Sequence, residues 1–291
     1  MDAPYELVEP IEPGVMRVLA DNPSPFTYTG TQTYFVGDAE IAVIDPGPDL
    51  PVHVAALVAA IGGRRVAAIM CTHTHRDHSP AARPLAAATG APVIGCAPLS
   101  LVSVGPRADA SFDPDYAPDR VLGDGDTVAV GGARLVAVAT PGHTSNHLCF
   151  ALEGGPANGA LFTGDHVMGW STTVVVPPDG EMGDYLASLD KLRRRSDRIY
   201  YPAHGPAVTK PAQLVRAMIG HRLQRERQIL KRLAVGDRTV PQIVATAYPG
   251  LDPRLVPAAG GSVTAHLLDL ARRGLVEAVE GEAWILTNNE A

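Results

Sequence analysis

The sequence predicts an α/β protein whose strands bring polar side chains to one edge of a sheet. Short apolar runs of strand length alternate with segments of helical pattern along the first 200 residues. The run at 66–70 is followed at once by histidines and an aspartate, and three later predicted strands also end at a histidine or an aspartate. Because α/β folds build their sites at the carboxyl ends of strands, we expect one shared site there.

The order of elements supports this fold class. Strands are predicted at 15–19, 31–36, 41–45, 66–72, 92–96, 134–140, 160–163 and 199–201. Helices are predicted at 51–61, 80–89, 183–192 and 212–233. The turn residues at 37–38 predict a tight hairpin, and those within 122–128 predict a second one. The stretch at 105–120, rich in Asp and Pro, is expected to be irregular.

The motif H-x-H-x-D-H at 73–78 has the residue types of a metal site. Side chains two apart on an extended backbone point the same way, so His73 and His75 are expected to converge on one ion. Asp77 and His78 lie where the chain bends toward a helix and are placed to face a second ion. Imidazole and carboxylate together suit a metal such as zinc.

Four isolated residues also end predicted strands. His143, Asp165 and His204 each follow a separate strand, and this repetition makes them candidate ligands. Asp45 follows the strand at 41–45, where it either accepts a hydrogen bond from a ligand imidazole or caps the turn.

These motifs resemble the metallo-beta-lactamase superfamily over roughly residues 14–210. The resemblance implies an αββα sandwich that binds two zinc ions between its sheet edges. It also implies a ligand set of His73, His75 and His143 on one ion, Asp77, His78 and His204 on the other, and Asp165 bridging both.

A closer similarity is to the beta-lactamase-like protein 2 family, carried by the stretches 22–27, 30–34, 140–144, 170–174, 201–206 and 221–226. The animal member of that family is a zinc-dependent endoribonuclease acting on single-stranded RNA. This resemblance implies a phosphodiesterase of that kind, with hydrolysis of a small acyl substrate (a thioester, lactone or β-lactam) as the alternative. Gln32 departs from the Asn usual in that family.

Two bound cations would activate water, and Asp77 would orient it and carry its proton to the leaving group. Phe26, Tyr28 and Trp170 are expected either to line the mouth of the site and contact substrate or simply to pack in loops. His166, next to Asp165, is expected to contact substrate or to support a ligand.

Net charge, cysteine count and the N-terminal residues indicate which partners and which cell compartment to expect. The net charge of −7 over 291 residues disfavours tight non-specific binding to nucleic acid, although a local basic groove would suffice. Three cysteines imply no disulfide framework, and the N-terminal residues lack the features of a signal peptide. We therefore expect a cytoplasmic protein without a membrane anchor.

Residues 211–291 are predicted to form a second domain after the catalytic domain at 1–210. A long helix precedes a capped helix start at 239, an amphipathic helix at 262–274 and two short strands at 275–279 and 283–286, a winged-helix-like pattern. The wing is acidic (Glu277, Glu280, Glu282), so sequence-specific DNA binding is not expected. The helical tail is compatible with a homodimer.

Overall fold

The computed structural model describes residues 3–99 and 112–287 and forms two packed sheets with helices outside them. In the first sheet the spatial order follows the chain. Its strands are β1 (Val8–Glu12), β2 (Val15–Leu19), β3 (Gln32–Gly37), β4 (Glu40–Ile44), β5 (Arg65–Cys71), β6 (Val93–Gly95) and β7 (Arg120–Val121). Of the stretch predicted to be irregular, at 105–120, residues 105–111 lie outside the described residues.

The second sheet has five strands in the order β12-β11-β10-β9-β8. These are β8 (Thr127–Val130), β9 (Ala133–Ala139), β10 (Leu148–Glu153), β11 (Ala160–Gly164) and β12 (Ile199–Pro202). Buried side chains from both sheets form one cluster, with Phe35 and Ile69 from the first and Phe150 and Phe162 from the second. The helices α1 (Pro51–Ile61) and α2 (Ala82–Thr89) flank the first sheet, and α3 (Met182–Arg193) flanks the second. The αββα prediction is confirmed.

Local sequence explains where these elements begin and end. Pro51 occupies the first turn of α1, where its missing N–H costs no hydrogen bond, and Gly62 ends the helix in the left-handed conformation. The predicted hairpin at 37–38 joins β3 to β4 as an antiparallel pair.

Two sequence expectations in the second sheet need correction. The turn within 122–128 is not a hairpin, because β7 belongs to the first sheet and β8 to the second, so this segment carries the chain from one sheet to the other. The hairpin lies one strand later, where β8 pairs with β9 across Gly131 and Gly132. Strand β10, central in the second sheet, was not predicted.

The C-terminal region begins with α4 (Pro211–Ala234), a helix of 24 residues. It continues with α5 (Val240–Ala247), a 3-10 turn (Pro253–Leu255), α6 (Val256–Arg272), β13 (Val276–Val279) and β14 (Ala283–Leu286). The predicted capping of α5 is present, since the Gln242 side chain accepts a hydrogen bond from the Thr239 N–H at 3.0 Å. Helix α6 begins six residues before its predicted start. None of the described helices combines the length and apolarity needed to cross a bilayer.

Helix α4 packs in two hydrophobic clusters. Its first half contributes Val215 and Met218 to the cluster that α3 forms with the second sheet. Its second half contributes Ile229 and Leu233 to the cluster of α5, α6 and β13. The boundary proposed at 210/211 therefore falls just before a helix whose first half is buried against the catalytic sandwich.

This packing predicts that Met218→Ala destabilises the whole chain. Met218 is 4% exposed, so truncation leaves a cavity and should lower the free energy of unfolding by about 2–5 kcal/mol. Leu223→Ala on the same helix is the control, because Leu223 is 39% exposed and its loss should cost less than about 0.5 kcal/mol. Chemical denaturation measures both. Equal, small losses would mean that α4 is only a linker.

Candidate active site

Strand direction brings the predicted site residues together. Strands β4, β5 and β6 are parallel, so Asp45 after β4 and the 73–78 motif after β5 share one edge of the first sheet. Strands β11 and β12 are parallel, and β9 runs with them because β10 is antiparallel to both β9 and β11. His143, Asp165 and His204 therefore follow strands that end at one edge of the second sheet.

Three imidazoles converge on one point. His75 Nδ1 lies 3.0 Å from His73 Nε2 and 3.1 Å from His143 Nε2. Asp165 Oδ2 lies 3.6 Å from His143 Nε2 and 4.0 Å from His73 Nε2. The four side chains form one group able to hold a metal ion.

A second group lies beside the first. Asp77 Oδ2 is 3.4 Å from His78 Nε2 and 3.2 Å from His204 Nε2. Asp165 connects the two groups, because its Oδ1 is 3.2 Å from His204 Nε2 while its Oδ2 is 3.6 Å from His78 Nε2. Asp165 therefore has the geometry expected of a residue between two ions.

The outer nitrogen of four of these imidazoles is fixed by a hydrogen bond. The Nδ1–H groups of His143 and His204 donate to the carbonyls of Val174 at 2.6 Å and Gly30 at 3.1 Å. The Nδ1–H of His73 donates to Thr72 Oγ1 at 3.0 Å, since that hydroxyl donates its own proton to Asp45. The fourth ring, that of His78, is held by Asp45. With Nδ1 held in this way, each of the four rings turns its Nε2 toward the site, where a deprotonated Nε2 can bind a metal ion.

Asp45 takes the supporting role that was one of its two predicted alternatives. Its Oδ2 accepts from His78 Nδ1 at 3.0 Å and from Thr72 Oγ1 at 2.8 Å, and its Oδ1 accepts from the Thr72 N–H at 2.8 Å. Its backbone is left-handed, with φ of +48°, a conformation that Asp tolerates better than most residues. The residue thus ties the end of β4 to the loop after β5.

The electrostatics of the site favour cations. Burial lowers the pKa of His75 to about 3 and, with the neighbouring imidazoles, holds the pKa of His73 well below its usual value. Burial alone would raise the pKa of Asp165, but His204 and His78 hold it well below the usual range. Against the effect of burial, Asp165 raises the pKa of His204 to about 10. Against the effect of burial, His78 and His204 also hold the pKa of Asp77 well below its usual range, so two ionised carboxylates draw positive charge toward the site.

The donor set fits bound metal ions. His75 Nδ1 stands 3.0 Å from His73 Nε2 and 3.1 Å from His143 Nε2, close to the separation of about 3.3 Å between tetrahedral zinc ligands at 2.0–2.1 Å. His78 Nε2 and Asp165 Oδ1 are buried and, within the described residues, have no hydrogen-bond partner. Such unsatisfied buried atoms are costly unless another group binds them.

A cavity of about 300 Å³ opens beside these groups. Phe26, Met168 and Val174 give it apolar walls, while Asp77, Asp165 and three of the histidines form its floor. Arg76 is the one arginine or lysine among the described residues that line it. Phe26 therefore lies where the predicted contact with substrate requires it.

A second cavity of about 300 Å³ shares Ser24, Phe26, Met168 and Val174 with the first. It leads away from the ligand groups to Leu255 and Ala258, which belong to the C-terminal region. Tyr28 and Trp170 also line it, with their rings stacked at 5.0 Å between centroids. Both aromatic residues thus lie beside the site mouth.

His166 does not lie where a substrate contact requires it. Its side chain is buried between the rings of His147, at 5.9 Å, and Tyr185, at 4.9 Å, and it lines neither cavity. Both residues lie in the turn that follows β11, where Asp165 faces the candidate ligands and His166 packs in the interior. Burial lowers the pKa of His166 to about 3, so the ring stays neutral.

Several supporting residues were not foreseen. The Gln32 amide donates to the Gly205 carbonyl at 2.6 Å and so braces the turn that carries His204. The carbonyls of Gly30 and Val174 and the Thr72 hydroxyl orient three candidate ligands, His204, His143 and His73. A backbone carbonyl leaves no signal in sequence, whereas Gln32 stands out in sequence as a departure from the usual Asn, although the sequence does not predict its contact with Gly205.

Family comparisons agree with this geometry. Residues 27–204 match the model of the metallo-beta-lactamase superfamily, and residues 239–284 match the beta-lactamase associated winged helix domain. A solved metallo-beta-lactamase family protein from Thermus thermophilus superposes with a TM-score of 0.76 at 21% identity, covering 96% of this chain and 100% of that one.

Relatives of two kinds are similar in sequence. An atrochrysone carboxyl ACP thioesterase of Aspergillus chevalieri is 36% identical over 84% of this chain and 76% of its own length. A beta-lactamase-like protein 2 homolog of Caenorhabditis elegans is 34% identical over 93% of this chain and 89% of its own length. On its sheet topology, clustered ligand groups and matched residues, this chain belongs to the metallo-beta-lactamase superfamily.

Proposed function

We propose that this protein is a hydrolase with two zinc ions that cleaves an acyl thioester or ester bearing an apolar acyl group. The observation that carries the proposal is a pair of largely apolar cavities, of which the first lies beside the ligand groups and the second shares four lining residues with it. An acyl chain buries well against such walls, whereas a phosphodiester backbone needs several cations along its path. This reverses the order of the two substrates that the sequence suggested.

The charges near the site support the acyl substrate. The apolar walls beside the ligand groups are Phe26, Met168 and Val174, and Arg76 is the one arginine or lysine among the described residues lining the first cavity. The whole chain carries a net charge of −7. The name of the Aspergillus chevalieri relative, an ACP thioesterase, agrees with this substrate class.

The chain's own residues provide the remaining steps of hydrolysis. Bound divalent cations would lower the pKa of the attacking water and would polarise the scissile carbonyl. Asp77 is the more exposed of the two carboxylates, with 27% of its side chain accessible against 12% for Asp165. It accepts from Thr31 Oγ1 at 3.3 Å, which orients it toward the cavity. There it takes the proton of the attacking water and returns it to the leaving thiol or alcohol, so that carboxylic acid and thiol or alcohol are released.

A single-stranded RNA endonuclease is the second candidate, and one observation favours it. Tyr28 and Trp170 are stacked, about half and a third exposed, beside the site mouth. Aromatic platforms of this kind bind unpaired bases at about 1–3 kcal/mol per base. The resemblance to the beta-lactamase-like protein 2 family points the same way.

The ligand proposal predicts metal content. The purified protein should carry about two zinc ions per chain, with His73, His75 and His143 on one, Asp77, His78 and His204 on the other, and Asp165 between them. His143→Ala and His204→Ala should each lose about one ion, since each removes one ligand from a different group. Elemental analysis after dialysis measures this, with His221→Ala, outside both groups, as the control. Full zinc content in both ligand variants would refute the proposed ligand set. Iron in place of zinc would refute the proposal that the metal is zinc.

The reaction proposal predicts turnover of acyl thioesters rather than RNA. Asp77→Asn should lower kcat by about 10²–10⁴-fold, because it removes the proton acceptor from the cavity. Asp190→Asn, on the outer face of α3 in ion pairs with Arg193 and Arg194, should leave kcat unchanged. The assay pairs a series of acyl thioesters with a fluorescent single-stranded RNA. Cleavage of the RNA alone, lost in Asp77→Asn, would establish the second candidate instead.

The second cavity predicts a preference for long acyl groups. Ala258→Trp should fill the part of the cavity beside Ala258 and lower kcat/KM for long-chain thioesters. The expected decrease is about 10–200-fold, the usual effect of losing apolar contact in a hydrophobic pocket. Short-chain thioesters should be hydrolysed as before. Ala234→Trp, the same change at an exposed position, should alter neither. A uniform loss across all chain lengths would show that the cavity does not receive the acyl chain.

A further inference from the structure

We propose that Arg222 of α4 is a positioning residue for the metal site, acting through the segment 165–174. Arg222 lies outside the predicted catalytic domain and contacts none of the seven candidate ligands. Through Thr173 and its neighbour Val174 it fixes the backbone at Asp165 and the ring of His143. The inference rests on the metal site proposed above.

The first step is the contact of Arg222 with the segment. Its side chain is buried, at 4% exposure. Its Nη2 donates to the Thr173 carbonyl, and its Nη1 lies 3.5 Å from Ser262 Oγ on α6. The guanidinium stands 5.1 Å from the centre of the Tyr185 ring on α3. From α4, Arg222 therefore contacts α3, α6 and one carbonyl of the segment 165–174.

The second step leads from Thr173 to two candidate ligands. The Thr173 hydroxyl donates to the backbone carbonyls of Asp165, at 2.8 Å, and His166, at 3.0 Å. The next carbonyl, that of Val174, accepts from His143 Nδ1 at 2.6 Å. A shift of the backbone at 173–174 would therefore turn the His143 ring and release the peptide that carries Asp165.

The cost of burying Arg222 supports a positioning role. A buried charge is costly unless hydrogen bonds compensate it, and within the described residues no carboxylate forms an ion pair with Arg222. Its compensation comes from the Thr173 carbonyl, the Ser262 hydroxyl and the Tyr185 ring. An apolar side chain of similar length would fill the same space without that cost, but it would not hold the Thr173 carbonyl.

The first variant to test is Arg222→Met, which keeps the length of the side chain and removes its donors. Zinc affinity, measured by competition with a chromophoric chelator, should fall about 10- to 100-fold, the usual effect of losing a partner that orients ligands. Arg222→Lys keeps one donor and should recover part of that affinity. Thr173→Val removes the hydroxyl link and keeps the carbonyl, and it should weaken zinc binding in the same range.

The matched control is Arg225→Met on the same helix. Arg225 also donates to a backbone carbonyl, that of Ala247 at 2.5 Å, and also lies over a tyrosine, Tyr248 at 3.9 Å, but it contacts only the C-terminal region. This variant should lower the melting temperature of the zinc-free protein and leave zinc affinity unchanged.

The double variant of Arg222 and Thr173 separates positioning from general stability. If both residues act through one segment, the double variant should lose less affinity than the two single losses multiplied together. Parental zinc affinity in both Arg222→Met and Thr173→Val, or an equal loss in Arg225→Met, would overturn the role of Arg222. A parent protein that binds no zinc would instead overturn the metal site itself.

Discussion

The buried carboxylate of Asp165, between two groups of imidazoles, is the constraint on which the site depends. Such a charge is tolerated only beside positive charge, and its two oxygens face His204 on one side and His143 and His78 on the other. Most supporting contacts keep this arrangement in place. Asp45 and Thr72 align the rings after β5, while the carbonyls of Gly30 and Val174 align His204 and His143.

The C-terminal region contributes to this site as well as to the fold. Helix α4 is buried at one end against the second sheet and at the other in the winged-helix cluster, so the two parts of the chain share a helix. Leu255 and Ala258 line the second cavity, and Arg222 donates a hydrogen bond to the Thr173 carbonyl in the segment 165–174. The roles proposed for the winged-helix region therefore require no DNA.

The chemistry and the choice of substrate come from different parts of the structure. The ligand groups at the strand ends are suited to activating water against either a carbonyl or a phosphoryl centre. The walls made by Phe26, Met168 and Val174 favour the apolar acyl group, whereas the stacked Tyr28 and Trp170 favour a base. Superfamily membership alone therefore leaves the substrate open, and the cavities supply the argument.

The sequence by itself determined the strand ends and the candidate ligands. Spacing along a strand is local, so H-x-H-x-D-H and the histidines after later strands were visible without coordinates. Period-two patterns do not say which sheet a strand joins, so the sequence predicts a hairpin at the crossing within 122–128. They also do not reveal β10, because five of its six residues are buried and show no alternation. Only the tertiary structure turned His166 inward, joined Arg222 to Thr173 and built a cavity from residues far apart in the chain, because those contacts arise from packing rather than from any local pattern.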